Sequence, residues 1–395
     1  MKRMLVIYPN NFLQGAMGTN NRIAQLVQLF KEIGFEIDFF SFENWSSDSN
    51  FKNFNTQNKD SIIHKLFLFD FKCNDDGNHH SGLVGRILQK VRNRLKKKEP
   101  KKYLHDWAPA KVQDYFSDIL SKNNYDVIAM FYTYLATLFE NRDIHAKKVY
   151  FMEDSMFLQQ YSWSTNSLER HNLLGMLLNE ELTRMRVFDE VFCISNDERI
   201  MYEKLTGKDM HFLPHLLPES FAPVATPIEK RRWDVYFIGF NNPFNVEGLA
   251  WFLREVYPNL DKNLRIVLVG SATNQIEVSY VNIDIIPFAP DLDEIYNNVK
   301  VAICPMFRGT GMKIKVVEAM AKGLPVVCNE RGVDGLPDKT LCGCLVTQNA
   351  QEFARYINEL CSNVDFYVKQ SAAILDYYRK VFDRNKYKKM LENLI

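Results

Sequence analysis

Hydrophobic residues in this chain of 395 residues fall into short runs that alternate with stretches of helical periodicity. Apolar runs bounded by turn residues predict strands, and their alternation with helical patterns predicts parallel sheets flanked by helices, the α/β class. The predicted strands of the first half are 4–8, 36–42, 66–71, 126–131, 148–152 and 190–194, and those of the second half are 234–238, 264–269, 281–286, 300–304, 325–328 and 344–346.

A proline-rich segment over 212–227 separates the two sets of strands, and it contains four prolines. Domain boundaries commonly lie in such linkers. We therefore predict an N-terminal Rossmann-like domain over 1–215 and a C-terminal Rossmann-like domain over 216–370. The tail is rich in Tyr and Lys and has a helical pattern, so we predict a separate C-terminal helix over 371–395.

The segment 308–327 has the pattern of a phosphate-binding loop that leads into a helix. Gly309 and Gly311 allow a tight turn after the strand that Pro305 ends. A helical apolar pattern then begins at Met312, and Gly323 closes it. Free N–H groups at the start of a helix attract phosphate.

Charged residues in this segment add to the same interpretation. Lys313 and Lys315 place positive charge in the first turn, where the helix dipole disfavours cations. Glu318, one turn further on, is placed to accept hydrogen bonds from ribose hydroxyls. An ordinary strand–loop–helix with solvated lysines is the alternative, since a lone Gly-x-Gly is a weak signal.

The second half of the chain resembles the C-terminal domain of GT-B glycosyltransferases of the group 1 type. The resemblance follows the order and spacing of the segments 234–252, 264–270, 286–296, 308–327 and 329–336. It implies two Rossmann-like domains that face a central cleft, with the C-terminal helix crossing back to the N-terminal domain. It also implies transfer of a sugar, of the hexosyl type, from a nucleotide-diphosphate sugar, with UDP as the expected nucleotide.

The resemblance is incomplete at one position. The family pattern is E-x7-E, in which the first Glu contacts the donor sugar and the second contacts the ribose. Glu318 matches the second Glu, but Thr310 stands at the first. The pattern therefore favours nucleotide binding over any particular sugar.

The resemblance also assigns residues to the diphosphate, which gains charge as the glycosidic bond breaks. The expected diphosphate contacts are Arg308, Thr310, Gly311, Lys313 and Lys315. Many relatives add an Arg and a Lys from the loop after the first strand of this domain. In this chain that loop is 239–245 and contains neither residue. Gly239 and Asn241 are therefore expected to offer amide groups to the diphosphate. Lysines and helix amides take the place of a metal ion in this prediction.

Phe288 is expected to contact the nucleotide base through its backbone amide and its ring. The alternative is a buried core residue.

The first half offers two further candidate regions. The loop over 10–19 contains Gly15 and Gly18, which the resemblance implies face the donor phosphates and the acceptor; a mobile loop without a ligand is the alternative. Thr19 is expected to cap a helix that begins near Asn20. Glu153 and Asp154 follow the predicted strand 148–152, at the edge where ligands bind in parallel sheets. Either carboxylate is a candidate general base in an inverting enzyme, an acceptor-orienting group in a retaining one, or a helix cap.

Composition excludes several other classes. The net charge of +1 argues against a general nucleic-acid binder. No apolar run is long enough for a membrane span, and the first strand is too short for a signal-peptide core. Seven scattered cysteines, most of them in apolar strands, indicate a reducing compartment and hence the cytoplasm. The pair Cys342 and Cys344 has no second pair with zinc spacing.

Two segments do not fit the sheets. The polar segment 44–60 is predicted to be a surface loop. The segment 86–102 is strongly basic with a narrow apolar stripe. It is a candidate for contact with the inner face of a membrane, near a lipid-linked acceptor, or else a solvated helix.

The sequence thus favours a cytoplasmic glycosyltransferase that acts on a glycan or lipid-linked acceptor in bacterial surface-polysaccharide, lipopolysaccharide or glycoprotein-glycan assembly. A sugar-nucleotide epimerase is one alternative, because it shares the two-domain architecture. A non-catalytic GT-B partner subunit is the other, because the first Glu and the basic pair of the loop 239–245 are missing.

Overall fold

A computed structural model of the protein describes residues 2–13, 18–43, 62–71, 103–163, 170–276 and 281–395. Within them the strands are β1 Lys2–Ile7, β2 Phe35–Phe42, β3 Lys65–Phe69, β4 Val127–Met130, β5 Lys147–Met152, β6 Glu190–Cys193, β7 His211–Phe212, β8 Trp233–Ile238, β9 Ile266–Val269, β10 Ile283–Ile286, β11 Val299–Cys304, β12 Val326–Cys328 and β13 Leu345–Val346. The α-helices are α1 Gly18–Glu32, α2 Ala110–Lys122, α3 Met156–Trp163, α4 Arg170–Met185, α5 Asn196–Thr206, α6 Pro243–Trp251, α7 Leu292–Tyr296, α8 Ile314–Ala321, α9 Ala350–Ser362, α10 Val364–Val381 and α11 Arg384–Leu394.

The strands form two parallel sheets, one in the order β3-β2-β1-β4-β5-β6-β7 and one in the order β10-β9-β8-β11-β12-β13. Every predicted strand is present, with ends that agree within two residues. The short strand β7 was not predicted, because it lies in a proline-containing segment with little apolar pattern. The predicted α/β class with two Rossmann-like sheets is therefore confirmed.

The described residues divide into two compact units. The first consists of Met1–Asn11, Gly34–Phe151 and Met156–Glu190, and the second of Phe12–Ile33, Met152–Ser155 and Val191–Ile395. In the first unit the Glu181 carboxylate accepts hydrogen bonds from the N–H groups of Met156 and Phe157, at 3.1 and 2.8 Å. It thereby satisfies backbone donors at the start of α3 that have no partner within the helix.

In the second unit the six-stranded sheet is covered on both faces. Alternate residues of β8 show this, because Tyr236 belongs to one hydrophobic cluster and Phe237 to the other. The first cluster contains Val317 of α8 and Ile374 of α10, and the second contains Phe353 of α9. Burial on both faces explains why these strands appear in the sequence as continuous apolar runs.

The tail after α9 forms two helices, and the second of them contacts α1 of the same unit. Arg384 of α11 donates to the carboxylate of Glu32 at 2.8 Å. The hydrogen bond from Arg384 also lowers the pKa of Glu32. None of the described helices has both the length and the apolar character needed to cross a bilayer.

Two predicted helix starts were wrong. Helix α1 begins at Gly18, so Thr19 lies inside it and does not cap it. Helix α8 begins at Ile314, with Lys313 in the N-cap position, so Lys313 precedes the helix and lies outside its first turn. The predictions for Gly15, for the loop 44–60 and for the basic segment 86–102 lie outside the described residues.

Candidate functional site

The second sheet has a topological switch point between β8 and β11. From β8 the strand order runs outward through β9 and β10, and from β11 it runs the other way through β12 and β13. Ligands of open parallel sheets bind beyond the carboxyl ends of the strands at such a point. Gly248 of α6 permits close packing there, because a Cβ atom on it would lie 1.9 Å from the carbonyl oxygen of Pro305, the residue after β11.

Lys315 reaches this switch point from the first turn of α8. Its Nζ donates to the carbonyl oxygen of Ile238, the last residue of β8, at 2.6 Å, and to Asn245 Oδ1 at 2.8 Å. The ammonium also lies 4.8 Å from the centre of the Phe237 ring. Burial lowers the pKa of Lys315. The crevice therefore contains a cation whose position is set by two acceptors and an aromatic ring.

Glu318 lies one turn further along α8. Its Oε2 accepts a hydrogen bond from the Tyr296 hydroxyl at 2.7 Å, and the Tyr236 hydroxyl lies 3.4 Å from that of Tyr296. Burial raises the pKa of Glu318 to about 7, although the Tyr296 hydroxyl and the Lys315 ammonium act in the opposite direction. Glu318 is therefore a half-buried carboxyl group that titrates near neutral pH.

The loop between β11 and α8 takes a conformation that requires glycine. Gly309 and Gly311 have φ angles of +117° and +66°. A Cβ atom on Gly311 would lie 2.7 Å from the Glu153 carbonyl oxygen and 2.9 Å from Asp154 Oδ1. Lys313 folds back onto the loop, and its Nζ donates to the carbonyl oxygens of Thr310 and Gly311 at 3.1 and 3.3 Å.

The loop donors that were predicted to bind diphosphate contact carboxylates. Thr310 Oγ1 donates to Asp154 Oδ1 at 2.7 Å, and the Gly311 N–H donates to Glu198 Oε1 at 3.0 Å. Burial raises the pKa of Asp154, while the Thr310 hydrogen bond and the Lys313 charge lower it. The structure thus brings together the predicted loop and the predicted carboxylate Asp154.

Glu153 has different surroundings from its neighbour Asp154. It is 5% exposed and forms an ion pair at 2.8 Å with Arg22, which is 1% exposed. The other guanidinium nitrogens of Arg22 donate to the carbonyl oxygens of Leu213 and Pro214 at 2.8 and 2.6 Å. Burial raises the pKa of Glu153, and Arg22 opposes that rise. The Glu153 carboxylate is thus held by a buried guanidinium.

Arg22 and Glu198 were not among the residues predicted from the sequence. Arg22 is a charged residue on the apolar stripe of α1, beside the buried Ile23 and Leu26, and this unusual position was the signal that the sequence offered. For Glu198 the signal was the capping-box pattern, since Ser195 caps α5 and Glu198 follows three residues later. Neither signal indicates which distant group the side chain contacts.

The remaining predicted residues lie at the carboxyl ends of β8 and β10 or in the loop after β11. The Gly239 N–H donates to the Val269 carbonyl oxygen at 3.0 Å, and the Asn241 N–H donates to Ser271 Oγ at 2.9 Å. Phe288 is 74% exposed, which excludes the alternative of a core residue. Arg308 pairs with Glu247 at 2.9 Å on the surface.

Comparisons with known proteins show what the second half of the chain is similar to. Residues 232–363 match the family model described as glycosyl transferases group 1. A curated relative, an uncharacterized 44.6 kDa protein in the cps region of Klebsiella pneumoniae, is 23% identical over 304 residues, which are 72% of this chain and 70% of that protein.

Several solved structures share the fold over the whole chain. Sucrose-phosphate synthase from Thermosynechococcus elongatus has a TM-score of 0.69 at 13% identity and covers 100% of this chain and 98% of its own. HepE from Anabaena, in complex with UDP and glucose, has a TM-score of 0.65 at 13% identity, with 100% and 99% covered. WaaG, a glycosyltransferase involved in lipopolysaccharide biosynthesis, has a TM-score of 0.63 at 11% identity, with 99% of each chain covered. The chain therefore has the GT-B fold, and its segment 232–363 matches the family model of group 1 glycosyl transferases.

Proposed function

We propose that the protein transfers a hexosyl group from a nucleotide-diphosphate sugar, with UDP as the nucleotide, to a glycan or lipid-linked acceptor. One arrangement carries the proposal. The Lys315 ammonium and the Glu318 carboxyl group lie on one turn of α8, at the switch point of the sheet within the family-matched segment. A cation for the diphosphate and a hydrogen-bond acceptor for the ribose hydroxyls, both at that edge, favour binding of a nucleoside diphosphate.

Each residue has a proposed role in the transfer. Lys315 faces the diphosphate and stabilises the charge that develops on it as the glycosidic bond breaks. Glu318 accepts hydrogen bonds from the ribose hydroxyls, and Phe288 offers an exposed ring to the base. Thr310 and Lys313 belong to the loop that contacts the diphosphate and the donor sugar.

Asp154 is proposed to act on the acceptor. Its carboxyl group is half-buried and contacts the donor loop through Thr310, whereas Glu153 is paired with Arg22. A carboxyl group with a raised pKa is suited to accept a proton from an acceptor hydroxyl. We propose that Glu153 positions the segment that carries Asp154.

The proposed setting is surface-polysaccharide assembly in a bacterium, in the cytoplasm and at the inner face of the membrane. The Klebsiella relative in a cps region and the fold shared with WaaG support this setting. The proposed domains remain 1–215 and 216–370. The single helix predicted over 371–395 was wrong, because this tail consists of the end of α10 and the whole of α11. We propose no metal ion as cofactor.

A non-catalytic partner subunit is the second candidate function. One observation favours it: Thr310 replaces the first Glu of the family pattern, and its hydroxyl already donates to Asp154. A partner subunit would bind no donor, so nucleotide binding separates the two candidates.

A thermal-shift screen with UDP, GDP, dTDP and CMP tests the proposal. At a hundred times its dissociation constant, a ligand that binds only the folded state stabilises it by about 2.7 kcal/mol. We expect UDP to stabilise the protein most and UDP-sugar to be consumed once an acceptor glycan is added. Absence of stabilisation by all four nucleotides would favour the partner subunit.

A further inference from the structure

The first turn of α5 makes an unusual set of contacts within the second unit. In a capping box the Glu three residues after the N-cap returns to the N-cap N–H. Ser195 does accept from the Glu198 N–H, at 3.3 Å, but Glu198 Oε1 accepts from the Gly311 N–H at 3.0 Å. Glu198 thus has the sequence position of a capping-box residue, but its carboxylate contacts the loop that precedes α8.

Neighbouring residues hold this turn in place independently of Glu198. The Asn196 N–H donates to the Gly335 carbonyl oxygen, and the Gly335 N–H donates to Asp197 Oδ2, both at 2.9 Å. Lys339 pairs with the same Asp197 carboxylate. The position of α5 is therefore set by three groups other than Glu198, and a change at Glu198 leaves those contacts intact.

The loop at Thr310 and Gly311 has the donor chemistry of an anion site. It offers a backbone N–H and a hydroxyl, with the Lys313 ammonium within 3.1 to 3.3 Å of its carbonyl oxygens. Two carboxylates already use these donors, Asp154 at the hydroxyl and Glu198 at the N–H. A bound diphosphate and the Glu198 carboxylate compete for the Gly311 N–H, since two anions do not share one donor without repulsion.

We propose that Glu198 is an internal competitor of the donor diphosphate. In the donor-free protein its carboxylate occupies the Gly311 N–H, and a nucleoside diphosphate binds by displacing it. After transfer the same carboxylate returns and favours release of the nucleoside diphosphate. This inference rests on the proposed function, because it requires that the loop bind a diphosphate.

The test compares UDP affinities by calorimetry for wild type, Glu198→Gln and Glu198→Ala. Removal of the competing charge should tighten UDP binding by roughly tenfold or more, because a hydrogen bond to a charged group must no longer be broken. Glu359→Gln is the charge-matched control, because Glu359 forms an exposed pair with Arg355 on α9. That control should bind UDP as wild type does.

A gain of affinity is a result that a merely structural role for Glu198 does not produce. Unchanged or weaker UDP binding by Glu198→Gln, with wild type binding UDP, overturns the inference and leaves the proposed function standing. Absence of binding by wild type and by both variants overturns both. Should Glu198→Ala fail to fold, Glu198→Gln decides alone, since it has the same shape and leaves the Asn196 and Asp197 contacts unchanged.

Discussion

Titration of Glu318 should control nucleotide affinity near neutral pH. Burial raises the pKa of this carboxyl group to about 7. In the proposed contact with the ribose, only the ionised form can accept hydrogen bonds at both oxygens. The perturbation is a change of pH from 6 to 8, together with the neutral isostere Glu318→Gln. Affinity should increase as the pH rises, because a rise in pH ionises the carboxyl group.

The expected magnitude follows from the pKa. A group with a pKa of about 7 is ionised to about one tenth at pH 6 and to about nine tenths at pH 8. The apparent dissociation constant varies inversely with the fraction of protein that is competent to bind. Affinity should therefore rise by roughly tenfold between these two pH values, which is about 1.4 kcal/mol.

Calorimetry with UDP-glucose is the assay. A nucleotide sugar is preferable to UDP, because a terminal phosphate titrates with a pKa near 6 and would add its own pH dependence. Glu318→Gln should bind weakly at both pH values, with little change between them. Glu359→Gln on α9 serves as the control and should keep the wild-type pH profile, since its side chain pairs with Arg355 on the surface.

Two results would refute this reasoning. One is a wild-type affinity that does not change between pH 6 and 8, and the other is an identical pH profile in Glu318→Gln. Stability provides a separate check on the pKa itself. Because the pKa of Glu318 is raised on folding, its contribution to stability is lost as the pH rises from about 4.5 to about 7, and Glu318→Gln should remove that loss.

Other predictions concern the cations and the loop. Lys315→Ala should lower kcat by about a hundredfold, about 2.7 kcal/mol, with a smaller change in donor KM, whereas Lys313→Ala should have the weaker effect on kcat; equal and mild effects in steady-state kinetics would contradict the assignment. Activity should survive EDTA, and restoration of lost turnover by Mg²⁺ or Mn²⁺ would show a metal requirement. Arg22→Met should cost about 3–5 kcal/mol in urea unfolding, because it leaves Glu153 buried without its partner, and Glu153→Gln in the same chain should recover part of the loss. Gly311→Ala should abolish nucleotide stabilisation in thermal shift, because of its φ of +66° and the close Glu153 carbonyl.

Local patterns in the sequence sufficed to predict the strands and the loop at Gly309 and Gly311. Strands buried on both faces carry continuous apolar runs, and the runs ended where the strands do, within two residues. The turn at these two glycines could be predicted because it requires positive φ angles, which glycine adopts more readily than any other residue. The predicted start of α8 was wrong, because lysine is common within helices, whereas Lys313 lies in the N-cap position.

Tertiary structure alone decided which partners the charged residues have. The sequence placed Lys315 and Glu318 on one helix, but not the Ile238 carbonyl or the Tyr296 hydroxyl beside them. The sequence does not distinguish the roles of Glu153 and Asp154. In the structure Glu153 is buried in an ion pair with Arg22, so the two carboxylates have different surroundings. The physical reason is that a hydrogen bond or ion pair depends on the distance between groups far apart in the chain, and residue type sets only the capacity to form it. Composition and periodicity determine the elements of this protein, and the packing of those elements determines its site.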